Sequence, residues 1–463
     1  MQDFKDKSLI ISVIIVTSIA TFFVAYISSA ISIVLPTLAK YFSINDILEN
    51  WISLIYLLII AIFALPCGAL SKKYGLVKTF LTGLFIFLVG SILAGFSTTA
   101  YFILFSRAVE ALGASFLYVA GTAMIVKATS KKLRGTALGI NLASFYLGLT
   151  LAPFLGGFLA TNYNWQSIFF IQVPFLVIAI LLVAFKIKKN WILDKEFVIN
   201  KKDLFLNSTS ILLLMLGFLN VTAYWGIILI VVGGILGVLY IKSSAKEKNP
   251  LFKLEAYKNI NFLTSNVASL TSYVGIYVLT YILNYHFQYV NGFSPEKSGL
   301  YLVIAPLVMT ITAVISGRIS DKKNPQLITV IGMVFVTLSI FMMALINRST
   351  TLEFIILAMI VYGVGYGLFA SPNTKVIMSS LPIEYNDFSS TAVASTKYIG
   401  KTVSLAILTL IFAIFMGTAS INPSDYSKLI ISSQITCYLG VIFAIIALIA
   451  TVIGYKSNTP LND

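Results

Sequence analysis

The chain is 463 residues long, 58% hydrophobic and 11% charged, with a mean hydropathy of +0.94 and a formal net charge of +15. Soluble domains carry roughly 25% charged residues, so this composition excludes a soluble globular protein. The lysines gather on no polar domain, which argues against a nucleic-acid partner, and Cys67 and Cys437 both sit in apolar runs, where they suggest neither a disulfide framework nor a zinc site.

In chain order the apolar runs centre on Ser8–Leu35, Trp51–Leu70, Val77–Gly95, Tyr101–Val126, Gly135–Ala160, Ile168–Phe185, Leu204–Leu219, Tyr224–Ile241, Phe262–Phe287, Ser298–Ser316, Leu327–Ile346, Phe354–Ser380, Ser390–Met416 and Leu429–Ile453. A helix crosses a bilayer in about 20 residues. In lipid the backbone must satisfy its own hydrogen bonds, so each run is predicted to be a helix; a barrel would need alternating segments instead. The predicted fold class is an all-α integral membrane protein of 14 transmembrane helices. The division least clearly marked is the seventh run from the eighth, separated only by "NVTA". The leader "MQDFKDKS" is short and charged, and the first apolar run is too long for a cleavable signal.

With both termini cytoplasmic, the inner loops and tails hold 24 of the 32 Lys and Arg, while the outer loops hold Lys40, Lys297, Arg348 and Lys428. Such a bias is what positive-inside sorting produces in a multi-pass plasma-membrane protein. Two longer basic linkers, 186–203 and 242–259, flank the short seventh and eighth runs. The predicted organisation is an N-terminal six-helix bundle (1–187), a central section (188–260) with two extra helices near 204–219 and 224–241, and a C-terminal six-helix bundle (261–463). The two bundles read as a repeat. "GALSKKYG" from Gly68 and "GRISDKK" from Gly317 start 249 residues apart, and "SFYLG" (Ser144–Gly148) and "TKYIG" (Thr396–Gly400) are 252 apart. Paired six-helix halves around a midplane site are a transporter architecture.

Several motifs carry a more specific resemblance. "GALSKKYGLVK" is similar to a loop signature G-x-L-a-D-r-x-G-r-k, with Gly68, Leu70, Lys73 and Gly75 matching and Lys72 in the aspartate position. "RAVEALG" is similar to R-x-x-q-G-x-G: Arg107 and Gly113 match, Glu110 stands for Gln and Ala111 for Gly. "GLTLAPFLGG" is similar to G-x-x-x-G-P-x-x-G-G through Gly148, Pro153, Gly156 and Gly157, with Ala152 for Gly. "NWQSIFFIQVP", "FQYVNGFSPEKSGL" and "GVGYGLFASPNTKVIM" match further segments. On these residues the chain resembles the major facilitator superfamily, and within it the fourteen-span drug:proton antiporters. That resemblance implies multidrug efflux and antibiotic resistance, a small-molecule substrate, protons or Na+ as the coupling ion, no cofactor and no metal, and a monomer in the bilayer. It assigns Arg107 a proton-relay role. The helix 1 aspartate of many family members is missing from "YISSAISIVLP", where Ile27 and Ser32 hold the polar positions.

The residues themselves add a physical reading. Gly148, Ala152, Gly156 and Gly157 repeat at helical spacing and make a flat face beside Pro153. They suit either a tight, repackable gate or plain helix packing. Arg107 and Glu110 are i, i+3 and share a face. Charges inside a membrane are costly and by default functional. A carboxyl balanced between desolvation and a guanidinium can take up and release a proton; the alternative is a mutually neutralising structural pair. Lys375, beside Asn373 in the twelfth span, is expected in a substrate cavity together with Tyr118 and Tyr146. Lys397 and Lys401 are expected to snorkel toward the surface. An excess of positive charge favours neutral, zwitterionic or anionic substrates over dicationic ones. His286 reads as a satisfied interfacial residue. At the loops, Gly68 is expected to permit close helix approach and Gly75 a tight turn. The inner lock is expected to rest on Gly317, Arg318, Asp321 and Lys322 more than on Gly68, Lys72 and Lys73. The expected activity is proton-coupled export of small amphipathic compounds by alternating access; uptake of a nutrient or osmolyte, or lipid translocation, are alternatives on the same fold. The usage of 28 Lys against 4 Arg suggests a prokaryotic source.

Overall fold

A computed structural model describes residues 2–129, 131–187, 190–192, 199–220, 224–244, 254–320, 323–382, 386–416 and 425–457. The described residues form helices and turns and no strand. The first five spans are α1 (Gln2–Phe42), α2 (Asp46–Tyr74), α3 (Leu76–Gly95), α4 (Ala100–Ala128) and α5 (Lys131–Asn162). The sixth span is α6 (Ser167–Phe170) with α7 (Val173–Lys186); then follow α8 (Lys201–Leu219) and α9 (Tyr224–Ser244). The ninth span is α10 (Ile260–Ile276) with α11 (Leu279–Tyr285) and a π-helical turn (His286–Val290). The tenth is α12 (Pro295–Leu302) with α13 (Ile304–Ser320), and α14 (Pro325–Ala344), α15 (Leu352–Ser379), α16 (Asn386–Phe415) and α17 (Tyr426–Lys456) complete the chain.

Among the described residues, 13 helical stretches are long and apolar enough to cross a membrane. The remaining predicted span is α8, whose 19 residues open with Lys201, Lys202 and Asp203. The 16 apolar-run residues left rise about 24 Å at 1.5 Å each, short of a hydrocarbon core of about 30 Å. It is nonetheless tied to α9: Ser210 Oγ donates to the Gly233 carbonyl at 2.7 Å, and a Cβ on Gly217 would lie 2.7 Å from Ile230 N. Ile227, Ile228, Val231, Ile235 and Val238 of α9 stay exposed, as lipid-facing side chains do.

Proximity along the backbone groups the chain into two units: residues 1–44, 48–204 and 293–300, and residues 45–47, 205–292 and 301–463. In the first, α3 packs on α4, α1 on α5, and α7 on both α1 and α3; in the second, α14 packs on α15, α10 on α16, and α17 on both α10 and α14. These are the same pairings at repeat-equivalent positions, and the glycines repeat with them. A Cβ on Gly83 would lie 2.7 Å from Phe116 Cβ and 3.1 Å from the Gly113 carbonyl, and one on Gly332 would lie 2.7 Å from Phe369 N and 2.8 Å from the Gly365 carbonyl. Gly83 and Gly332 are 249 residues apart, and Gly113 and Gly365 are 252 apart, the offsets of the sequence repeat. Small residues at such crossings let backbones meet, which is what holds helices together in lipid, where the tails are as apolar as the side chains.

The loop between α2 and α3 turns at Gly75, which has φ 100°. Only glycine adopts this freely. Gly68 behaves differently from its expectation: a Cβ there would meet Val119 Cγ1 at 3.7 Å, an ordinary contact, so no close approach depends on it. Gly317, its repeat partner, is equally open, with Ser371 Oγ at 3.5 Å.

Candidate functional site

The fourth-span pair forms as its spacing predicts. Arg107 Nη1 donates to Glu110 Oε2, and both side chains are completely buried. Glu110 Oε1 accepts from Ser91 Oγ of α3 at 2.9 Å and from Gln172 Nε2 of the sixth span at 2.9 Å. Gln172 also donates to Ser91 Oγ at 2.9 Å. The Arg107 guanidinium lies over the Tyr56 ring at 4.2 Å and near Phe169 at 5.9 Å, and its Nε donates to the Ile52 carbonyl at 3.5 Å. Four spans therefore meet at one buried ion pair. Gly90 makes room for it, since a Cβ there would sit 2.7 Å from Glu110 Cβ. Such a pair is held by its hydrogen bonds; without them, desolvation would outweigh the attraction. Arg107 Nη2 and Gln172 Oε1 keep no hydrogen-bond partner among the described residues.

The sequence reading missed Ser91 and Gln172. Gln172 had a signal, because it stands at the polar position of "NWQSIFFIQVP". Glu49 was missed as well: it is a second carboxylate fully buried in a span, near the start of α2. Tyr26, in helix 1 where the family aspartate is missing, is also fully buried, and its hydroxyl has no partner among the described residues.

The fifth-span motif resolves into two ridges instead of one flat face. Gly148 and Gly156 lie against α1, with Cβ positions 3.1 Å from Ala25 Cβ and 3.1 Å from Ala30 Cβ, and Ala152 between them is fully buried. Gly157 and Pro153 form the second ridge. A Cβ on Gly157 would lie 2.9 Å from Glu296 Cα, and one on Gly299 would lie 2.8 Å from the Pro153 carbonyl carbon. The start of α12 is thus seated directly on α5. Tyr118 and Tyr146 are half-buried and near enough to interact electrostatically.

In the second unit Asn373 is buried and donates its amide to the Ser265 carbonyl at 3.1 Å, tying α15 to α10. Lys375 lies near the C-terminal end of its helix: it is exposed, four residues before the end of α15, and donates to the Ser320 carbonyl at 2.9 Å. That carbonyl ends α13, so the ammonium caps a helix terminus. Lys401 corrects the snorkelling expectation. It is the sixteenth of 30 residues in α16, about 20 Å from either end, and is 6% exposed. Its Nζ sits over the Tyr277 ring at 4.8 Å and the Tyr398 ring at 5.7 Å. Lys397, one turn away, is half-buried. His286 is buried and lines a small cleft together with Met343, Ser433 and Gln434.

At the two repeated basic loops, Lys72 and Lys73 are half-buried at the end of α2. The turn beside them is held from elsewhere. Asn190 Oδ1 accepts from Val77 N at 3.2 Å and Lys78 N at 3.3 Å, its Nδ2 donates to the Tyr74 carbonyl at 2.9 Å, and Leu76 N donates to the Trp191 carbonyl at 2.9 Å. Asn190 is the side-chain cap that α3 lacks at Gly75. Asp321 and Lys322 lie outside the described residues, as does the side chain of Arg318.

The model of the Major Facilitator Superfamily matches residues 17–405. The chain belongs to the Major Facilitator Superfamily. It is 28% identical to the riboflavin transporter RibZ of Clostridioides difficile, over 95% of this chain and 96% of that one. It is 24% identical to the multidrug efflux pump LfrA of Mycolicibacterium smegmatis (86% and 80% covered) and 22% identical to the multidrug resistance protein Stp of Mycobacterium tuberculosis (89% and 77%). Among solved structures, a POT family transporter in complex with a thioalcohol-conjugated peptide superposes with a TM-score of 0.74 at 13% identity, covering 96% of each chain. The chain is therefore a multi-pass membrane transporter of small molecules with bacterial relatives, and not an enzyme.

Proposed function

We propose that this transporter exports small, amphipathic, ring-containing compounds in exchange for protons, by alternating access. The observation that carries the proposal is the double ridge of the fifth span. One ridge packs on α1 and the other, Pro153 and Gly157, packs on the start of α12. A seam of small residues is tight when closed and costs little to part and re-form, because few side chains must repack. The efflux proteins among the relatives support the direction. The proton is assigned to Glu110, buried against Arg107 with donors from two other spans. The six-two-six division, cytoplasmic termini, a plasma-membrane location and a monomer belong to the same proposal, which the skewed distribution of lysines supports.

In inverted vesicles, an imposed proton gradient is expected to drive accumulation of a substrate such as riboflavin, and a protonophore to collapse it. Accumulation that persists on a sodium gradient alone refutes proton coupling. A second reading is uptake of a nutrient on the same fold; the riboflavin transporter supports a ring-containing substrate for either direction. Comparing right-side-out with inverted vesicles separates the two directions.

A further inference from the structure

The second unit holds a buried cation, Lys401, that has no counter-charge among the described residues. Lys401 makes no hydrogen bond and no ion pair among the described residues, and the rings of Tyr277 and Tyr398 lie beside its ammonium. Cation–π contact offsets part of the desolvation of a buried ammonium and leaves it short of a counter-charge. Lys397 is one helical turn away on the same face and brings a second amine there.

The opposing wall is aromatic and has a break in it. Tyr273, Tyr277, Tyr281, Tyr285 and Tyr289 recur every four residues along the ninth span. Tyr273 and Tyr277 are half-buried. The helix is interrupted at Tyr277 and Val278, between α10 and α11, and Val278 N donates to Ser404 Oγ of α16 at 3.3 Å. Gly400 brings α16 in at this level, its Cβ position lying 2.7 Å from Tyr273 Cβ. A discontinuous span docked beside an unpaired charge at mid-helix is how transporters build ligand sites.

We infer that Lys401 and Lys397, with Tyr273, Tyr277 and Tyr398, form a binding site for a planar aromatic compound carrying a negative charge, a carboxylate or phosphate. The anion seats on the two ammonium groups, and the ring lies along the tyrosines of the broken ninth span. This deepens the export proposal by naming its substrate class, and it rests on that proposal only in taking the bound compound as cargo.

The test is equilibrium binding to the full chain in lipid nanodiscs without any gradient, so failure of proton-driven export leaves its outcome untouched. The probes are matched pairs, flavin mononucleotide with riboflavin and 1-naphthoate with 1-naphthamide. Each anion is expected to bind about tenfold tighter than its neutral partner. Lys401→Gln is expected to abolish that preference and Lys397→Gln to reduce it, while Lys401→Arg retains it and so controls for folding. Equal binding of anion and neutral partner by the native protein overturns the proposal. So does a preference that survives Lys401→Gln, or failure of every anion to bind.

Discussion

Replacing Glu110 by glutamine removes the carboxylate that faces Arg107 and leaves a fully buried guanidinium with its Nη2 already without a partner. Breaking a buried pair from one side costs about 3–5 kcal/mol, because the surviving charge stays desolvated. Glutamine can still accept from Ser91 and Gln172 through its oxygen, so that part of the network persists and the loss comes chiefly from the unpaired cation. Adding Arg107→Gln removes that cation, and the double variant is expected to recover most of the lost stability. Thermal unfolding of the four proteins of the cycle in nanodiscs measures this. Proton release on substrate addition then separates the two roles of the pair. A structural clamp predicts that the double variant regains transport along with stability; a proton carrier predicts stability without proton movement. Glu110→Gln that melts with the native protein refutes the stabilising network, and Glu110→Gln that still exchanges substrate for protons refutes the carrier.

Asn190→Ala is expected to lose the cap of α3, worth about 1–2 kcal/mol, and hydrogen exchange should find the Val77 and Lys78 amides less protected, with the α4 amides unchanged. Gly113→Val should cost at least about 1–3 kcal/mol by overpacking, since even a Cβ would lie 2.7 Å from Phe87 Cα, and Gly365→Val should behave alike, with Phe335 Cβ at 2.8 Å. Gly68→Ala, facing only Val119, should leave the melting temperature in place. For the loops, Asp321→Asn is expected to slow transport more than Lys72→Asn; the reverse order in vesicle flux contradicts an inner lock centred on the second loop.

Long apolar runs made the helices legible, because a membrane admits little else. Even α8 was marked, by its shortness and its charged start. The Arg107–Glu110 contact followed from spacing alone, whereas Ser91 reaches it from a different helix, and nothing in its own neighbourhood of sequence marks a tertiary partner. The glycine crossings were hidden in the same way: their offsets were present in the sequence, but which glycine meets which backbone is a property of the packed pair. The two halves also differ in how they handle charge. At the positions 252 residues beyond Arg107 and Glu110 stand Met359 and Tyr362, so the second half has no copy of the closed pair. Its own mid-span cation, Lys401, has Leu149 as its counterpart in the first half. The first half thus buries a cation whose counter-charge and donors it supplies itself, while the second buries one that lies over two tyrosine rings with no counter-charge among the described residues. Burying a charge without a counter-charge is costly in lipid and in protein alike, so a cation that has none among the described residues and lies beside a broken helix is where the proposed anionic ligand would complete a pair. On that ground the proposed cargo site is placed in the second half and the proposed proton carrier in the first.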